Sequence, residues 1–75
     1  HNIQSETLSV RERMTIILSL IKDNENIEFE RLFNIKEGRL GVIVSFLAIL
    51  ELVKESLIDI IQNKSMSKIY ISVKK

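Results

Sequence analysis

Chemistry needs side chains that can hold a proton, a metal or a reacting atom, and this 75-residue chain offers few. Its single histidine is His1, at a terminus, where the held geometry that a general base requires is missing. Cysteine is absent, so there is no thiolate nucleophile, thiolate metal site or disulfide. Glu25, Glu28 and Glu30 cluster in sequence, but with no histidine or cysteine nearby they lack a transition-metal ligand set and read as a solvated turn. The two glycines, Gly38 and Gly41, fit no phosphate-cradling pattern such as GxxxxGK(S/T). The expectation is a chain with no catalytic residue, no metal, no cofactor and no small-molecule substrate.

Charge is the next resource. The net charge is +1, unevenly placed: residues 1–59 hold seven basic and ten acidic side chains, and Lys64, Lys68, Lys74 and Lys75 follow with no acid. A basic end of this size could touch phosphate, but it falls short of the excess that marks a dedicated nucleic-acid domain and reads as a solubilising edge. The start, HNIQSETLS, lacks the basic-then-apolar pattern of a signal peptide. The longest apolar window, 40–53, falls short of the roughly 20 residues a membrane span needs. Together with the missing cysteine, this points to a cytoplasmic protein and no membrane contact. Because the chain opens on His1 and not on Met, it reads as a fragment of a longer protein, with 1–8 a disordered or exogenous N-terminus and 9–75 one domain.

The elements that would carry these residues are legible from period and capping. Ser9 and Glu12 form an S-x-x-E capping box ahead of a first helix. Val10, Met14, Ile17, Leu18 and Ile21 make its apolar stripe, widened by Ile16 and Leu20, and the polar run KDNENI ends it near Lys22. Ile27 and Phe29 alternate around Glu28 as a very short strand. Phe29, Leu32 and Phe33 suggest a short second helix, and NIKEGRLG a turn in which Asn34 and Gly38 can take positive φ. A third helix runs from Gly38 or Arg39 to Glu55. LIDIIQN is a β-branched strand, NKSMS a polar loop, and KIYISVK an alternating strand with Ile69, Ile71 and Val73 on one face and Lys68, Tyr70, Ser72 and Lys74 on the other. Three helices, a short first strand and a terminal two-stranded hairpin give an α+β fold of the winged-helix type, with the hairpin as wing.

The third helix poses the functional question. Ile43, Phe46, Leu47, Leu50 and Leu57 form a stripe suited to the domain's own core, which leaves Val42, Ile49, Leu52 and Val53 wholly or partly outside it. A helix apolar all round is either surrounded or has a partner, and 75 residues are too few to surround it. Reading DNA would require arginine, lysine, asparagine or glutamine on its exposed face, and only Arg39 and Lys54, at the two ends, qualify. The residues therefore favour a protein-interaction module over the alternatives, a transcriptional regulator's DNA-binding winged helix and a homodimerisation module.

Phe46–Gln62, FLAILELVKESLIDIIQ, followed by IYI at 69–71, resembles the C-terminal domain of the bacterial ScpA kleisins, whose third helix carries a similar run. Phe46, Leu47, Ala48, Leu50, Glu51 and Leu52 match that run with Ile49 as a mild swap, Gln62 stands at the family's glutamine, and FERLF at 29–33 looks like its second helix. The likeness extends from about Ser9 to Val73. Two departures are visible: Ser56 stands where glycine is common after the helix, and KSMSK lacks the wing's aromatic-glycine element. The resemblance implies a non-enzymatic, nucleoid-associated adaptor for chromosome condensation and segregation. This domain would bind the ATPase head of an SMC protein, ScpB would be recruited by a region absent from this chain, and DNA would be met only through the complex. Val42, Ile49, Leu52 and Tyr70 are the expected contacts on the SMC head, with Lys68 and Lys74 at the rim.

Overall fold

A computed structural model of the chain describes residues 9–62 and 68–74. The expectations for 1–8 including His1, for the NKSMS loop with Lys64, and for Lys75 lie outside the described residues. Helix α1 spans Val10–Asn24. The capping box that opens it is present in both directions: the Glu12 N–H donates to Ser9 Oγ at 3.0 Å and the Ser9 N–H donates to Glu12 Oε1 at 3.2 Å. The helix runs two residues past Lys22, and Asn24 Nδ2 donates to the Leu20 carbonyl at 2.8 Å, so the asparagine serves the last turn and does not break it.

Strand β1, Asn26–Glu28, follows at once. The expected second helix is reduced to two 3₁₀ turns, Phe29–Leu32 and Ile35–Glu37. Between them Phe33 is extended, and its ring meets that of Phe29 edge-on at 5.1 Å. Asn34 keeps a negative φ; its Oδ1 accepts from the Lys36 N–H at 3.0 Å, an Asx turn that fixes the second 3₁₀ turn. Gly38 does take positive φ, 77°, where the chain swings into helix α2, Gly38–Lys54. The C-terminus of α2 is a Schellman closure: the Leu57 N–H donates to the Leu52 carbonyl at 3.0 Å and the Ser56 N–H to that of Val53 at 2.9 Å. Ser56 carries φ 60°, which is why a glycine suits this position.

Strands β2 (Ile58–Ile61) and β3 (Tyr70–Val73) are the expected antiparallel hairpin. β3 also pairs with β1, so the sheet has the order β1–β3–β2, all antiparallel, with Ile27, Ile71 and Ile60 in register across it. The Phe29 N–H extends the ladder to the Ile69 carbonyl at 2.8 Å. The result is a small α+β, winged-helix-like fold with two α-helices and a three-stranded sheet.

The core forms where α1, α2 and the inner sheet face meet: Ile17 and Ile21, Ala48, Ile49 and Leu52, and Ile58 and Ile71, closed by Leu32. Alternation in β3 is as expected, with Ile71 buried between partly buried Ile69 and Val73. Two apolar side chains assigned to the α1 stripe, Ile16 and Leu20, point outward instead. Arg13 occupies part of the buried side in their stead, and its Nη2 donates to both carboxylate oxygens of Glu37, at 2.8 and 2.9 Å.

Candidate protein interface

Helix α2 is oriented about half a turn from the expected phase. Its buried side is Val44, Ser45, Ala48, Ile49 and Leu52. Ile49 is 2% exposed and Leu52 is fully buried, so neither is a surface contact; both belong to the core that holds the helix. Conversely Ile43, Phe46, Leu47, Leu50 and Leu57, assigned to the core as one stripe, face solvent.

The physical reason lies in the small residues. Gly41, Ser45 and Ala48 fall at i, i+4 and i+7, and a face of short side chains lets a second helix approach closely where a face of leucine and phenylalanine would hold it off. Gly41 has a further duty: a Cβ there would collide with Cβ of Glu37 and come within 2.8 Å of its Oε1, the oxygen that accepts from Arg13. The inner face thus sets short Ser45 and Ala48 beside buried Ile49 and Leu52, and the Ser45 hydroxyl is buried there without a hydrogen-bond partner.

What remains outside is continuous. From Leu40 to Val53 the exposed positions are Leu40, Val42, Ile43, Phe46, Leu47, Leu50 and Val53, and every one is apolar. Their exposures run from 37% to 49%. Arg39 and Lys54 stand at the two ends, and half-buried Glu51 lies on the border. Leu57, just past the helix, and Ile60 and Ile61 of β2 are exposed as well. Of the expected contacts, Val42 lies on this strip, as does Val53, which spacing also set outside the core stripe; the orientation that exposes the rest was not read from the sequence. The three short residues were the available signal.

The wing residues lie elsewhere, on the sheet. Tyr70 is half-buried on the outer face of β3, opposite Glu28 and Ile61. Lys68 Nζ is 3.0 Å from Glu28 Oε2, and that carboxylate, by hydrogen bond and charge, raises the Lys68 pKa above the ordinary lysine value. Lys74 pairs with Asp59 at 3.6 Å. These lysines tie strands together, and Glu28 is committed to one of them. Among the described residues no group of three histidine, aspartate or glutamate side chains is placed to hold a metal, and no helix is long and apolar enough to cross a membrane.

As a tool for reading DNA the helix is poorly equipped, because no exposed side chain between Arg39 and Lys54 can donate to or accept from a base edge. As a docking surface it is well equipped, since contiguous exposed hydrocarbon on a small domain marks an interaction site.

Comparison with known proteins agrees with the sequence likeness. The family model for segregation and condensation protein ScpA matches residues 1–74. The chain belongs to this family. Among its relatives, segregation and condensation protein A of Xylella fastidiosa strain 9a5c is 54% identical over 71 residues, 95% of this chain and 24% of that protein. That of Coxiella burnetii is 46% identical over 74 residues, covering 99% of this chain and 28% of its own length. The family extends to Clostridium acetobutylicum, at 33% identity over 69 residues, 92% of this chain and 28% of the relative. The chain thus spans about a quarter of the length of these relatives.

Proposed function

We propose that this chain is the SMC-docking domain of a kleisin: a non-enzymatic adaptor that binds the ATPase head of an SMC protein in a condensin-like complex serving chromosome condensation and segregation. Membership in the ScpA family supports the class of complex. The observation that carries the docking role is the strip on α2, seven exposed positions without one polar side chain. At two-fifths exposure each, and taking about 200 Å² for a large apolar side chain, the strip presents on the order of 600 Å². Covering it releases on the order of 15 kcal/mol at about 25 cal/mol per Å². Association costs about 4–15 kcal/mol, so stable docking needs a partner that covers most of the strip.

In this reading ATP hydrolysis belongs to the SMC protein, ScpB is recruited by a part of the kleisin outside this chain, and DNA is held by the assembled complex in the cytoplasm, at the nucleoid. Val42 contributes from the edge of the strip. Tyr70, Lys68 and Lys74 are secondary contacts on the wing, and Ile49 and Leu52 act only by holding α2 in place. Calorimetric titration of the chain into a purified SMC head tests the role, with circular dichroism to show that the chain is folded. Heat of association is expected; a folded chain that gives none ends the proposal. A parallel titration with duplex DNA at two salt concentrations separates the regulator reading, because phosphate-driven affinity would fall steeply as salt rises.

A further inference from the structure

Resting on the docking role proposed above, we infer that α2 receives a helix of a different protein, one with hydrocarbon along one side and a carboxylate near each end. The spacing of the strip points to a helix. Within α2, Leu40, Ile43, Leu47 and Leu50 recur at intervals of three, four and three, and Lys54, four positions further on, ends the helix. That is a heptad seam, the pattern by which one helix packs its knobs against another along its length. Phe46 and Val53, seven apart, flank the seam on one side.

The ends point to the charge. Arg39 and Lys54 are exposed and bracket the seam, about 22 Å apart along the axis at roughly 1.5 Å per residue. Neither has an ion-pair partner among the described residues, in contrast to Lys68 and Lys74, which are paired within the sheet. Arg39 sits in the first turn of α2, where a cation opposes the helix dipole. Its position is unfavourable for the fold by itself and favourable for a partner's carboxylate.

The same two residues argue against a second copy of this chain. An antiparallel pair centred between Phe46 and Leu47 sets Arg39 against Lys54 at both ends. A parallel pair sets each of them against itself. Either arrangement juxtaposes like charges, which disfavours the pairing, whereas an acid-tipped helix meets opposite charge at both ends.

The chain contains no cysteine, so single cysteines placed on it are unique handles. Ile43→Cys, Leu47→Cys and Leu50→Cys, each cross-linked within the complex with an SMC head, should trap partner positions spaced three and four apart. Spacing of two would mean a strand and would overturn the inference. Leu47→Lys should weaken head binding about 100-fold while Ser19→Ala, at an exposed position of α1, changes it less than about threefold. Arg39→Glu combined with Lys54→Glu should weaken it about tenfold and abolish the decline in affinity seen for the parent between about 50 and 500 mM salt. If the parent binds and these α2 variants bind equally well, the inference fails and the docking role survives. If the folded parent does not bind, the docking role fails and the inference with it. Sedimentation of the chain alone should give a monomer; a dimer dispersed by Leu47→Lys would identify the occupant as a second copy and overturn the hetero-partner.

Discussion

Ser56 holds φ 60° to close the Schellman motif, and Glu25 holds φ 65° and ψ −57° between α1 and β1. A side chain in left-handed backbone space costs roughly 1–2 kcal/mol, partly offset because glycine loses more entropy on folding. Ser56→Gly should therefore stabilise the domain by about 0.5–1 kcal/mol, seen as a higher urea midpoint with an unchanged slope. An unchanged or lowered midpoint would mean that the serine hydroxyl earns its place in a way the backbone does not reveal. At this scale the sequence was informative wherever a side chain bonds its own neighbourhood. The Ser9–Glu12 box and the Gly38 turn were readable because capping and positive φ are local chemistry. Asn34 was misjudged because an Asx turn and a left-handed residue use the same amino acid, and only the surrounding backbone decides between them.

Among the elements, the α1–α2 junction is held by a constellation that spacing alone does not reveal. Arg13, buried to 8% exposure, reaches 24 positions along the chain to Glu37, whose side chain lies against Gly41. Gly41→Ala should push Glu37 aside and leave the Arg13 guanidinium without its carboxylate, costing about 1–3 kcal/mol despite alanine's better helix propensity. Thermal unfolding checks this, and Glu37→Gln in the same background should cost little more, because the pair is already broken. The elements themselves were largely legible. Strands and helices announce themselves by period, and β3 alternates because only one face of the sheet meets the helices. The phase of α2 was not legible, because a helix that is apolar all round has no polar side to mark the outside. Spacing marks the apolar stripe of Ile43, Phe46, Leu47 and Leu50 as the inner one, and the structure instead turns inward the face that carries Ser45, Ala48, Ile49 and Leu52.

For the whole molecule, α2 turns Phe46 and three of its leucines, Leu40, Leu47 and Leu50, to water, while Ala48, Ile49 and Leu52 join the core. Leu50→Lys should leave the stability of the isolated domain within about 0.5 kcal/mol of the parent, while Leu52→Ala, two positions away, should cost about 2–5 kcal/mol. Paired urea melts of the two variants check the orientation of the helix without reference to any partner; equal losses would contradict it. The fold class and the presence of surplus hydrocarbon followed from composition and element order, and the direction in which that hydrocarbon points required coordinates. One feature of the sheet bears on how the protein is made. Its middle strand, β3, is the last of the three in sequence, and Ile27 must wait for Ile71. On the ribosome, neither β1 nor β2 has a neighbour to bond until residue 73 has cleared the exit tunnel. Until then the nascent chain shows hydrocarbon on both sides of α2, the side meant for its own core and the side meant for another protein, and the interval before β3 emerges is when a chaperone would be most needed.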